Sequence, residues 1–115
     1  MKLREINIIK NKEDLDYVKI NINKSKYPSI LYGVSITGSK VHDFLLEHGI
    51  TINAAAVDKE YFCAQKTGTF KGKNLYSLEN LVNDYKAVNL FVGLTVYYFI
   101  NRLFVPVLWY VCKPC

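Results

Sequence analysis

The sequence predicts an α/β fold: a doubly wound parallel sheet of about four strands with helices on both faces, followed by a short apolar C-terminal extension. Three observations predict it. The run Ser29-Ile30-Leu31-Tyr32 is short and apolar and ends at Gly33, as a strand buried on both faces of a parallel sheet does. Val41, Phe44 and Leu45 then recur at helical spacing before a second apolar run, Ile50 to Val57. The alternation returns with Leu78, Leu81, Val82 and Tyr85, followed by Ala87 to Val92, and strands alternating with helices of this size require crossover connections.

Taken in order, Asn11 is an N-cap residue with Glu13 and Asp14 behind it, and Leu15, Val18 and Ile22 mark one face of a short amphipathic helix. Pro28 ends that segment and holds Tyr27 in extended geometry. Residues 1–27 are therefore an N-terminal helical lead-in, and 28–93 are the α/β domain. After Ser29 to Tyr32 and the turn to Gly38, a helix follows with Gly49 as its stop. Ile50 to Val57 is the next strand, with Asp58 at its end. Cys63 to Gly72 reads as an irregular loop over the sheet, leading to a brief extended stretch near Asn74-Leu75. Ser77 caps the next helix, and Gly93 closes the last strand. Residues 94–115 form an apolar, aromatic tail, with Tyr97, Phe99, Phe104, Trp109 and Tyr110, and show no clean period.

At 115 residues the chain has the length of one domain. Fifteen Lys and Arg against ten Asp and Glu leave +5, but these charges are dispersed, so no nucleic-acid partner is expected. Three cysteines without a regular framework point to a reducing compartment, with Cys63 as a small core residue. Met1 to Lys12 is charged and has no signal-peptide pattern, so a cytoplasmic address is expected. Arg102 divides the uncharged stretches 87–101 and 103–112, whereas a spanning helix needs about 20 continuous apolar residues. A membrane partner is therefore not expected.

The turn carries the chemistry. A dinucleotide fingerprint has three glycines, and here Gly33 and Gly38 are kept while Ser35 stands in the middle place. Free backbone N–H groups from Val34 to Gly38 and the positive end of the following helix suit a phosphate, and the Ser35 hydroxyl adds a donor. Asp58 lies about 20 residues further on, where an acidic group accepts from a ribose hydroxyl. The candidate binding residues are thus Gly33, Val34, Ser35, Gly38 and Asp58, and the expected ligand is a nucleotide or sugar nucleotide. No catalytic set and no metal site is expected. His42 and His48 are six apart, the wrong spacing for one metal, and read as surface or helix-end residues. Cys112-Lys113-Pro114-Cys115 has the C-x-x-C form but lacks the strand-to-helix context of a redox pair.

The strings Tyr32-Gly33-Val34-Ser35-Ile36-Thr37-Gly38, Ala55-Ala56-Val57-Asp58, Phe70-Lys71-Gly72-Lys73-Asn74-Leu75-Tyr76-Ser77-Leu78-Glu79-Asn80-Leu81 and Val88-Asn89-Leu90-Phe91-Val92-Gly93 carry a resemblance over about Pro28 to Gly93. Together they resemble the N-terminal Rossmann-like domain found ahead of FkbM-type methyltransferases and, more distantly, of bacterial sugar acyltransferases acting on nucleotide-linked sugars. The resemblance implies a non-catalytic domain holding a nucleotide or sugar nucleotide at Gly33, Ser35, Gly38 and Asp58. It also implies a fragment shortened ahead of a transferase's catalytic domain. Two other readings stand beside it: an interaction or oligomerisation module that forms a homo-oligomer through the aromatic tail, and a small membrane-associated protein.

Overall fold

The computed structural model describes residues 2–9, 11–64, 68–85, 87–93 and 107–113. Strand β1 (Lys2–Ile9) and helix α1 (Lys12–Ser25) open the chain. Then come β2 (Ser29–Tyr32), α2 (Ile36–Glu47), β3 (Ala54–Val57), α3 (Lys59–Ala64), β4 (Thr69–Phe70), β5 (Lys73–Ser77), α4 (Leu78–Asp84), β6 (Val88–Gly93) and β7 (Val107–Lys113). These strands form one sheet, in the order β1-β7-β6-β2-β3-β5-β4.

The chain is α/β, and the centre of its sheet is parallel: β2 pairs in parallel with β3 and β6, and β3 with β5. Among the described residues seven strands take the place of the expected four or so. The additional ones are antiparallel and flank the parallel centre. β4 forms a hairpin with β5, while β7 lies between β6 and β1, antiparallel to both. Segment 1–27, expected to be only helical, thus supplies a strand as well as α1. Within the expected tail, residues 107–113 are an internal strand of the sheet, and residues 94–106 lie outside the described residues.

Local chemistry fixes the helices. Asn11 Oδ1 accepts from Asp14 N at 2.9 Å, starting α1 where its capping residue predicts. Leu15 and Val18 are buried from that helix. Ser77 Oγ accepts from Asn80 N at 3.3 Å and starts α4. α2 begins at Ile36 with Ser35 as its N-cap, so Gly38 lies in its first turn and not ahead of it. Gly49, with φ +85°, follows the α2 C-cap His48 and ends the helix. The third strand is shorter than predicted, since 50–53 is a connection and only Ala54–Val57 pairs.

Helices cover both faces. On one, α1 and α2 bury Leu15, Val18, Val41 and Leu45 against Leu31, Phe91 and Trp109. On the other, α4 packs Leu81 against Ile30, Ala54, Ala56 and Val88. Trp109, fully buried, donates from Nε1 to Asn89 Oδ1 at 3.2 Å, and Asn89 Nδ2 donates to Tyr27 O at 3.1 Å. The indole also meets the Tyr17 ring edge to face, with centroids 6.1 Å apart. This chain of contacts ties β7, β6 and the end of α1 together.

Candidate functional site

At the carboxyl ends of β2 and β3 lies a cavity of about 170 Å³ lined by Tyr32, Gly33, Val34, Ser35, Val57, Asp58 and Tyr61. Gly33 N donates to Ala56 O at 2.8 Å, extending the sheet by one residue before the chain turns away. Its φ of +95° is glycine's territory. Ser35 is extended (φ −69°, ψ −169°), and its hydroxyl makes no capping bond to the first turn of α2. The first helical bond of α2 runs from Ser39 N to Ser35 O at 2.9 Å, so the amides of Ile36, Thr37 and Gly38 precede the ladder. No acidic side chain stands in that first turn to occupy them.

The structure brings four of the five sequence-predicted residues, Gly33, Val34, Ser35 and Asp58, to this one cavity. Gly38 is placed differently. A Cβ built on it would stand 2.2 Å from Gly33 O, so its bare Cα lets the first turn of α2 lie directly on the β2–α2 bend. Gly93, at the end of β6, presses on the other side of the same turn, where a Cβ would meet Val41 Cγ2 at 2.7 Å and Thr37 Cγ2 at 3.0 Å.

Sequence reasoning missed Tyr32, Val57 and Tyr61 as wall residues. Tyr32 ends β2 beside Asp58, and its Oη donates to Asp58 Oδ1. That hydrogen bond, then burial, then the carboxylate's charge hold the phenol above its ordinary pKa. The neutral phenol is the form the fold favours. Its stabilising effect is therefore present below about pH 10 and is lost as pH rises through the higher folded value. Subtracting the alkaline absorbance titration of Tyr32→Phe from that of the unaltered chain is expected to isolate one late-ionising tyrosine, and Asp58→Asn to move it earlier. A Tyr32 that ionises with the exposed tyrosines in both chains would contradict the contact.

A second polar cluster lies beside α2. His42 is 8% exposed, not on the surface as its spacing suggests, because the residues flanking it on α2 turn Val41 into the core and Asp43 out to solvent. Its ring packs edge-on to Phe70, and its Nδ1 donates to Asp43 Oδ1 at 2.9 Å. Lys71 Nζ donates to the same carboxylate oxygen at 2.8 Å, fastening the β4–β5 turn to α2. Lys71 first and His42 second hold the Asp43 carboxyl below its ordinary value. This contribution is present above the unfolded-state pKa of about 3.9 and is lost as pH falls through the lower folded one. The stability advantage of the unaltered chain over Asp43→Asn is expected to be small near neutrality and to vanish as pH falls through the lowered folded value. Denaturation midpoints measured for both chains across that range provide the check.

Cys63 is exposed on α3 rather than in the core, because Phe62 takes the inward position of that short helix against Ala55, Val57 and Leu75. His48 caps α2, with Nδ1 donating to Phe44 O at 2.9 Å. Cys112 lies within β7, opposite Val88, and Cys115 falls outside the described residues. Among the described residues no group of three His, Cys, Asp or Glu converges on one point, and no helix is long and apolar enough to cross a membrane. No family model, no curated protein and no solved structure matches this chain.

Proposed function

We propose that this chain is a Rossmann-like domain that binds a nucleotide or sugar nucleotide without transforming it. The observation that carries the reading is the convergence of Gly33, Ser35 and Asp58 on one cavity beneath the uncapped N-terminus of α2. The parallel strands run β5-β3-β2-β6, which in chain order is the 3-2-1-4 arrangement of dinucleotide-binding sheets, and this supports the fold assignment. In such sheets, ligands lie outside the carboxyl ends of the strands, the edge where this cavity opens.

Size refines the proposal. At about 170 Å³ the cavity is smaller than the ~300–1,000 Å³ usual for enclosing a whole small molecule. It fits a sugar and the phosphate next to it. Asp58, already accepting from Tyr32 at Oδ1, offers Oδ2 to a sugar hydroxyl, while the phosphate lies toward Ser35 and the N-terminus of α2. The base then lies outside, over the exposed Tyr61 ring. Kinship with glycan-modifying transferases, as an accessory domain lacking their chemistry, belongs to the same proposal. So does a cytoplasmic setting, which the free thiol of Cys63 supports.

Calorimetric titration with ADP, UDP and UDP-glucose tests the reading. Saturable binding of at least one is expected, weakened about 10- to 100-fold by Asp58→Ala, which removes a charged hydrogen-bond acceptor. Absence of saturable heat across the panel rejects the proposal.

A further inference from the structure

A larger cavity lies at the opposite, amino edge of the sheet. We propose that it is a second binding site, for a small organic anion: a phosphate or carboxylate group carried on an apolar body. Its volume is about 460 Å³, within the ~300–1,000 Å³ range of ligand pockets. The end of α1 forms one wall and the 49–53 connection the other. Lys19 and Lys26 both line it, and no carboxylate does. Neither lysine has an ion-pair partner among the described residues.

The geometry of the lysines is specific. Lys19 Nζ reaches across from α1 to Gly49, lying 3.4 Å from where a Cβ on that residue would stand. Gly49 leaves the ammonium room to sit over the α2–β3 connection. Lys26 holds the left-handed C-cap position of α1, with φ +62° and its N–H donating to Ile22 O at 3.0 Å. Asn53 Oδ1 accepts from Ser29 N at 2.7 Å, which fixes the amide and leaves its Nδ2 to donate, with no acceptor among the described residues. Thr51 lines the same wall.

A simpler role for the lysines is to offset the negative ends of α1 and α2, which both terminate at this cleft. Magnitudes decide against that being all. Each helix C-terminus carries about half a negative charge, so two of them offset about one of the two ammonium groups. About one positive charge remains. The apolar surfaces of Tyr27 and Ile50, on a volume far exceeding that of an inorganic anion, call for an organic body on the ligand.

The test uses the full chain, labelled with nitrogen-15, titrated with phenyl phosphate, benzoate, the neutral benzyl alcohol and the cationic benzylamine. Expected are saturable shifts of the Gly49, Thr51 and Asn53 amides with at least one of the two anions, at least tenfold weaker binding of benzyl alcohol and none of benzylamine. The double substitution Lys19→Met, Lys26→Met is expected to raise the Kd of the anion at least tenfold. Absence of saturable shifts at these amides, equal affinity for the anions and benzyl alcohol, or undiminished binding by the folded double variant overturns the proposal. If that variant does not fold, the comparison of anionic and neutral probes on the unaltered chain decides. Shifts confined to Gly33–Gly38 assign the anions to the carboxyl-edge cavity instead, and also overturn it.

Discussion

Gly38→Ala is expected to destabilise the chain by more than about 3 kcal/mol and to abolish the binding proposed at the carboxyl edge. The added methyl would stand 2.2 Å from the Gly33 carbonyl oxygen, a backbone atom that no rotamer change can move. Relief requires α2 to lift from the end of β2, and Val41 and Leu45, both fully buried, would leave the core with it. Gly93→Ala provides the scale. Its methyl would meet side-chain atoms of Val41 and Thr37 at 2.7 and 3.0 Å, so the strain has softer neighbours and costs about 1–3 kcal/mol. Urea midpoints of the two variants should fall in that order. A Gly38→Ala chain as stable as the unaltered one would mean that α2 does not seat on the bend as described.

The second large effect is expected at Trp109. Truncation to alanine removes a fully buried indole and should cost about 3–5 kcal/mol, a large share of the ~5–15 kcal/mol that stabilises a domain. Trp109→Phe separates the ring from its N–H. It keeps most of the apolar contact with Phe91 and Tyr17 but leaves Asn89 Oδ1 without its indole donor, at a cost of about 1–3 kcal/mol. Chemical denaturation of the three chains measures both steps. If Trp109→Ala lost under about 1 kcal/mol, β7 would not be an integral strand of the sheet.

These two residues also mark how far the sequence could be read. Gly38, Ser35 and Gly33 were legible because a strand-to-helix turn is local chemistry: the residues that shape it are neighbours in the chain. The same holds for Asn11 and Ser77, whose caps bind amides three residues on. Trp109 was legible only as part of an apolar segment with a core or interface role, since its particular place depends on pairing with Phe91 and on α1, far away in sequence. β1 was hidden for the same reason: its register runs from Lys2↔Lys113 to Ile9↔Val107, and its charged residues suit an edge. α3, with six residues, makes fewer than two turns and displays no period. At the site, the backbone turn was readable, but the approach of Tyr32 to Asp58 required β2 and β3 to be laid side by side.

The pairing of β1 with β7 dictates an order of assembly. Among the described residues β7 is the one neighbour of β1 in the sheet, so β1 lacks that partner until residues 107–113 arrive. During synthesis β1 waits for that partner while α1, α2 and the parallel centre can already condense. Joining β1 to the rest of the sheet thus waits for residues 107–113, and among the described strands the edges of β1 and β6 that β7 covers are, without it, templates for another chain.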